Sequence, residues 1–183
     1  MRCNTPDAIS PQIGREVRVN VIFDRELPPG VLNSMECTVS WTGQSGARSA
    51  MGFVAETGSG HVLTMDGAPD AARPENGGQN LAARPMETVL AGTGGCTAYD
   101  VVMILKRGRH QVERCSVKLT SERAPKDPKV FTKIHMHFTV AGKNIPAAAV
   151  ERAIALSHDT YCSATIMLGK TAEITTSFDL IDL

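Results

Sequence analysis

The stretch from Arg84 to Arg109, RPMETVLAGTGGCTAYDVVMILKRGR, constrains this chain more than any other. From Met86 to Leu105 its only charges are Glu87 and Asp100. A helix that is apolar on nearly every side must be buried on nearly every side. It does not read as a membrane span, because the two carboxylates interrupt it and Gly92, Gly94 and Gly95 weaken it. Pro85 suits the first helical turn, where a missing N–H costs nothing. Lys106, Arg107 and Arg109 suit the far end, and Gly108 is the expected terminator. Cys96 sits in the middle, directly after two glycines. A thiol there is either a small apolar filler or a chemical group.

The rest of the chain supplies the layers that would bury this helix. Short strands are expected over Thr38–Trp41, Phe53–Thr57 and His61–Met65, with glycine-rich turns between them. Residues 67–84, rich in Pro, Gly and Asn, read as an exposed loop leading into the helix. Val112 to Thr120 alternates, with Cys115, Val117 and Leu119 on one face. Val130 to Val140 answers as its partner: Val130, Ile134, Met136, Phe138 and Val140 face in, and Lys133, His135, His137 and Thr139 face out. Pro146 opens a second helix with Ala149, Val150, Ala153, Ile154 and Ser157 at helical spacing. A short third helix is expected from about Cys162 to Leu168, then a strand from Ala172 to Leu180. Without βαβ repetition, the order fits α+β rather than doubly wound α/β.

Residues 1–34 differ in character: an appendage or loosely ordered extension, with one strand candidate at Val17–Phe23, or a segment ahead of a true start at Met35. The domain proper is 35–183. Net charge is zero and no basic cluster is interleaved with aromatics, so nucleic acid is not an expected partner; neither is a membrane. A cytoplasmic location is the default.

The five cysteines are Cys3, Cys37, Cys96, Cys115 and Cys162. Their odd number and the lack of CxxC spacing argue against a disulfide framework or a zinc ribbon. Cys115 reads as core. Asp100, one turn beyond Cys96, should raise its pKa, which favours the filler reading. Cys162, at the start of a short helix, has free N–H groups that favour thiolate, and His158 lies a turn upstream. His135 and His137 share a strand face as metal ligands could, yet no third ligand suggests itself, and a solvated face is the expectation. Glu87 in the first helical turn suits the dipole and needs no further role. Neither a metal nor a cofactor is implied, and no P-loop, GxGxxG, GxSxG or HExxH occurs.

PMETVLAGTGGCTAYDVV, followed far downstream by HDTYCSATIMLGK, resembles the OsmC/Ohr family of thiol peroxidases, and the YhfA-like branch most closely. LTSER and AAAVERAIALS fit that branch too, and the resemblance covers about Met35 to Leu183. It implies an α+β fold with an antiparallel sheet around a long central helix, in an intertwined homodimer. It further implies a mechanism. Cys96 attacks the O–O bond of an organic hydroperoxide and becomes a sulfenic acid; Cys162 condenses with it to a disulfide; a dithiol reductant restores both. On that view the glycines let the helix carrying Cys162 approach Cys96. The well-studied peroxidases carry a Glu directly after the Pro that opens the long helix. Here Met86 holds that position and Glu87 follows, rotated by ~100°. Those enzymes also use an Arg from the N-terminal strands, for which Arg48 and Arg84 are the candidates. The alternative within the family is a non-peroxidase: a dithiol redox or sensor protein, or a dimer that binds a small apolar ligand.

Overall fold

The computed structural model describes residues 35–43 and 49–183; the strand candidate Val17–Phe23, the 1–34 segment and Arg48 lie outside the described residues. Three strands come first, β1 (Cys37–Trp41), β2 (Phe53–Thr57) and β3 (Val62–Met65), in one antiparallel sheet of that order. Helix α1 runs from Pro85 to Arg107. A hairpin of β4 (Gln111–Arg123) and β5 (Phe131–Lys143) follows, then α2 (Ala147–Leu156), a wide π-type turn (Ser157–Tyr161), α3 (Ser163–Leu168) and β6 (Glu173–Asp182).

The second sheet has the order β4-β5-β6. β4 and β5 are antiparallel, whereas β6 runs parallel to β5, from Lys133↔Glu173 to Gly142↔Asp182. Parallel neighbours need a crossover rather than a hairpin. Helices α2 and α3 form that crossover. The sheet is thus antiparallel with one parallel pair, and the described residues contain a single βαβ unit that strand periodicity does not reveal.

The core lies between this sheet and the helices. Ile134, Met136, Phe138 and Val140 alternate along β5 and are fully buried. They pack with Val101 and Leu105 of α1 and Val150, Ala153 and Ile154 of α2. Full burial of such side chains stabilises by about 1.5–3 kcal/mol each. Val130 does not face in; it precedes the strand and is exposed, and Phe131 is buried in its place. The cause is a register shift between Glu122 and Arg123, which pairs Arg123 with Phe131 and breaks the alternation there.

Helix α1 is long and apolar enough to cross a bilayer by length and composition. In this fold it packs on β4, α2 and α3. Its buried residues, Thr93, Gly94, Thr97, Val101 and Leu105, form one stripe. Val89, Gly92, Gly95 and Tyr99 are exposed, so the described residues cover the helix on one side only. The glycines therefore do not serve the approach of α3. A Cβ on Gly94 would sit 2.6 Å from Leu119 Cδ1, so this glycine lets β4 come close; Cβ atoms on Gly92 and Gly95 would meet nothing. The helix ends in a Schellman arrangement in which His110 N–H donates to Leu105 O (3.0 Å) and Arg109 N–H to Lys106 O (2.9 Å). The left-handed residue there is Arg109 (φ 61°), not Gly108.

Loop 66–84 is organised by one buried carboxylate. Asp66 accepts from the Ser49 hydroxyl, from Gly67 N–H (2.7 Å), Leu81 N–H (2.9 Å) and Gln79 N–H (3.1 Å). The Ser49 hydroxyl and then the Leu81 N–H hold its pKa down at about 2, against the ordinary 3.8, with burial opposing. Asp66 N–H donates in turn to Ala83 O (3.1 Å), which fastens the end of β3 to the entry of α1.

Candidate functional site

Cys96 lies halfway along α1, on a half-buried flank between the core stripe and the exposed face. Cys162 comes from the middle of the crossover, between the wide turn and α3. Its backbone N–H donates to Ser157 O (2.9 Å), which closes the wide turn, and Cys162 itself caps α3. Extended backbone at this cap (φ −75°, ψ 99°) turns the chain so that the completely buried thiol faces α1. The Sγ atoms of Cys96 and Cys162 and a carboxylate oxygen of Asp100 all lie within 4.8 Å of one another. The two thiols are free and lie within reach of each other.

The surroundings of Cys96 act in opposing directions. Burial raises its pKa most, followed by the contact with Cys162; the Asp100 charge raises it further. The Ala164 backbone N–H donates to Cys96 and lowers it. Ala164 lies in the first turn of α3, where N–H groups have no intrahelical acceptor. The free donors that the sequence places beside Cys162 thus include one turned toward Cys96. The balance leaves Cys96 above the ordinary thiol value.

Asp100 is held from behind. Ser157 Oγ donates to Asp100 Oδ2 (3.1 Å) and shares a hydrogen bond with Thr97 Oγ1 (2.9 Å). Ser157 is fully buried, so this link runs through the core between α1 and the wide turn. Sequence reading places Ser157 on the apolar face of α2 and misses this role. The signal available was a hydroxyl at a core position, which must find a partner when buried.

The other candidates sit elsewhere. Glu87 is exposed and accepts from the Arg84 backbone N–H (2.9 Å), which caps α1. Nine residues separate it from Cys96 in one helix, ~13.5 Å along the axis and about 180° around it. Arg84 precedes the first turn, and its guanidinium reaches Asn80 Oδ1 (3.5 Å). Neither flanks the thiol within one chain. Met86, where the family's Glu would stand, packs against the core. His158 lines a cavity with Glu151, Ile154, Thr176 and Phe178 and does not join the thiols. Cys115 is half-buried on the inner face of β4, and burial raises its pKa. His135 and His137 bond across to Thr175, Ser177 and Asp179 of β6 at 2.8–3.2 Å, a polar ladder on the sheet's outer face.

Comparison with known proteins decides the family. A family model described as OsmC-like protein matches residues 77–177, which includes both cysteines and Asp100. Protein YhfA of Escherichia coli K12 is 43% identical over 147 residues, covering 80% of this chain and 98% of the relative. The chain belongs to the OsmC-like family. Two solved OsmC structures share its fold. An OsmC-like protein of unknown function from Vibrio cholerae has a TM-score of 0.66 at 16% identity, covering 81% of this chain and 100% of that one. An organic hydroperoxide resistance protein OsmC from Legionella pneumophila, described as a predicted redox protein, has a TM-score of 0.56 at 17% identity, covering 83% and 98%.

Proposed function

We propose that this OsmC-family chain reduces organic hydroperoxides through Cys96 and Cys162. The observation that carries the reading is the sulfur pair within 4.8 Å, with the Ala164 N–H turned toward Cys96. Family membership and the organic hydroperoxide resistance proteins among the structural neighbours support it. The Cys96 thiolate attacks the outer oxygen of the hydroperoxide; the O–O bond breaks and the alkoxide leaves as alcohol after taking a proton. Cys96 is then a sulfenic acid. The Cys162 sulfur attacks it, forming a disulfide and releasing water. A dithiol reductant exchanges with the disulfide and returns both thiols.

The proposal includes a homodimer. In one chain β1 is exposed throughout, with Val39 53% and Trp41 56% accessible, and β3 exposes Val62 (61%) and Leu63 (51%). Exposed apolar residues gathered on one small sheet mark a surface for a partner to cover. The bare flank of α1, with Val89, Gly92, Gly95 and Tyr99, is such a surface. A second copy laid there brings its own cations toward Cys96, with Arg48 and Arg84 the sequence candidates. That would offset the burial and the Asp100 charge that otherwise keep the thiol protonated.

The test is consumption of an organic hydroperoxide with a dithiol reductant, comparing wild type with Cys96→Ser and Cys162→Ser. Cys96→Ser is expected to lose turnover entirely. Cys162→Ser is expected to stop at a sulfenic acid that dimedone traps. Wild-type turnover no faster than Cys96→Ser sinks the peroxidase reading. A second reading, a dithiol redox or sensor protein that exchanges disulfides and leaves peroxides alone, rests on the same two free thiols lying within reach of each other.

A further inference from the structure

We propose that Cys96, Cys162 and Asp100 form a binding site for a soft divalent cation of the zinc class. The three ligand atoms already lie within 4.8 Å of one another. Zinc–sulfur bonds of ~2.3 Å and zinc–oxygen bonds of ~2.0–2.2 Å put tetrahedral neighbours roughly 3.6–3.8 Å apart. Closing the trio onto one ion therefore takes small side-chain adjustments and no change of fold.

The construction of the trio fits a metal better than it fits a redox pair alone. A disulfide needs two sulfurs and has no use for a carboxylate within reach of both. Two thiolates and one carboxylate are a donor set for a borderline-soft cation, with the fourth position left to water or a small anion. Cys96 and Asp100 stand one turn apart on the same flank of α1. Cys162 approaches from the cap of α3. The Ser157 hydroxyl that holds Asp100 (3.1 Å) is itself fixed by Thr97 (2.9 Å), the kind of outer contact that orients a metal-binding carboxylate. Ser157 also accepts the Cys162 N–H, so a single residue positions two of the three ligands. Spacing in the sequence hides the site, because one ligand lies far downstream of the other two.

A bound cation would occupy both sulfurs and withhold them from oxidants until it leaves. Each equivalent would displace the thiol protons, two at most. This concerns the same residues as the proposed peroxidase but does not depend on peroxide chemistry.

The experiment titrates the reduced full-length chain with Co(II) without oxygen, then displaces it with Zn(II). One equivalent per chain is expected, with thiolate-to-cobalt charge transfer in the near ultraviolet and the visible bands of a tetrahedral ion. Replacing Cys3, Cys37 and Cys115 should leave these signals in place, whereas Cys96→Ser or Cys162→Ser should abolish the two-thiolate spectrum. Asp100→Asn keeps an acceptor for Ser157, and is expected to weaken binding roughly tenfold or more while both thiols remain titratable. Circular dichroism checks that each variant is folded. Charge transfer that survives in both single-cysteine variants overturns the proposal. So does unchanged affinity in a folded Asp100→Asn. No peroxide enters these measurements, so failure of metal binding and failure of peroxidase turnover are separate results.

Discussion

The two sheets of this protein are built on opposite terms. The sheet β4-β5-β6 has a covered inner face, with Phe138 and Val140 at 0% exposure beneath α1 and α2. The sheet β1-β2-β3 has Ala55 as its one buried apolar residue, and it is joined to the rest chiefly through Asp66, Met65 and Ala83. One half contains its own reason to fold. The other carries apolar strands that the described residues leave exposed. That difference is what the proposed dimer would resolve, since exposed apolar surface of this kind marks an interaction site.

Substitutions can break that comparison. The largest effect is expected at Phe138→Ala, which empties the middle of the self-sufficient half and should cost about 3–5 kcal/mol in denaturant unfolding. A comparable truncation in the first sheet, Val62→Ala, should act mainly through association: its midpoint should fall further at low protein concentration, as sedimentation and unfolding together would reveal. A concentration-independent effect there would count against the dimer. Gly94→Ala comes next. Its new Cβ meets Leu119 at 2.6 Å, and overpacking of this kind should cost about 1–3 kcal/mol. Gly95→Ala is the sharper probe, because nothing lies within 4 Å of its added Cβ in one chain. If that flank faces solvent, alanine should stabilise by up to about 1 kcal/mol. A loss of stability coupled to weaker dimerisation would place a second copy against it.

The smallest effect is confined to acid. The carboxyl of Asp66 titrates at about 2 in the folded chain against an ordinary 3.8. Its contribution is therefore complete above the unfolded value and lost as pH falls from about 3.8 toward about 2. Wild type should lose stability across that window, and Asp66→Asn should show a flatter profile in acid melts. Identical slopes would mean that the carboxylate network is not what secures loop 66–84.

Much of this was legible in the chain. Period-two alternation located β4, β5 and β6, and an apolar run with a proline at its head located α1. What periodicity could not supply was the choice of neighbour. β6 alternates identically whether it lies parallel or antiparallel to β5, and only the helical crossover decides. The Phe131 shift depends on a bulge, which one residue sets and no pattern announces. Glu87 and Arg84 were legible as helix-entry residues, and the roughly two and a half turns between Glu87 and Cys96 could already be counted along the helix that the proline and the apolar run located. The glycines were misread. Three small residues on a helix mark close approach without saying to what, and Gly94 answers to β4. The sulfur pair was legible only as a family resemblance. Asp100 was read as a charge beside Cys96, and its tie to Ser157 is a long-range contact outside the reach of local pattern.

The wide turn from Ser157 to Tyr161 joins two helices. A π-type turn holds one more residue than an α-turn would, and each of its residues turns through less than the ~100° of an α-helix. Deleting a single residue between His158 and Tyr161 would let α2 run on as an ordinary helix, in which the Cys162 N–H still meets Ser157 O at nearly the same angle. Val150, Ala153 and Ile154 would keep their places, since they lie ahead of the turn. The fold and the meeting of the two cysteines would both survive, so this one added residue is absorbed by the turn rather than acting as a spacer between the sulfurs.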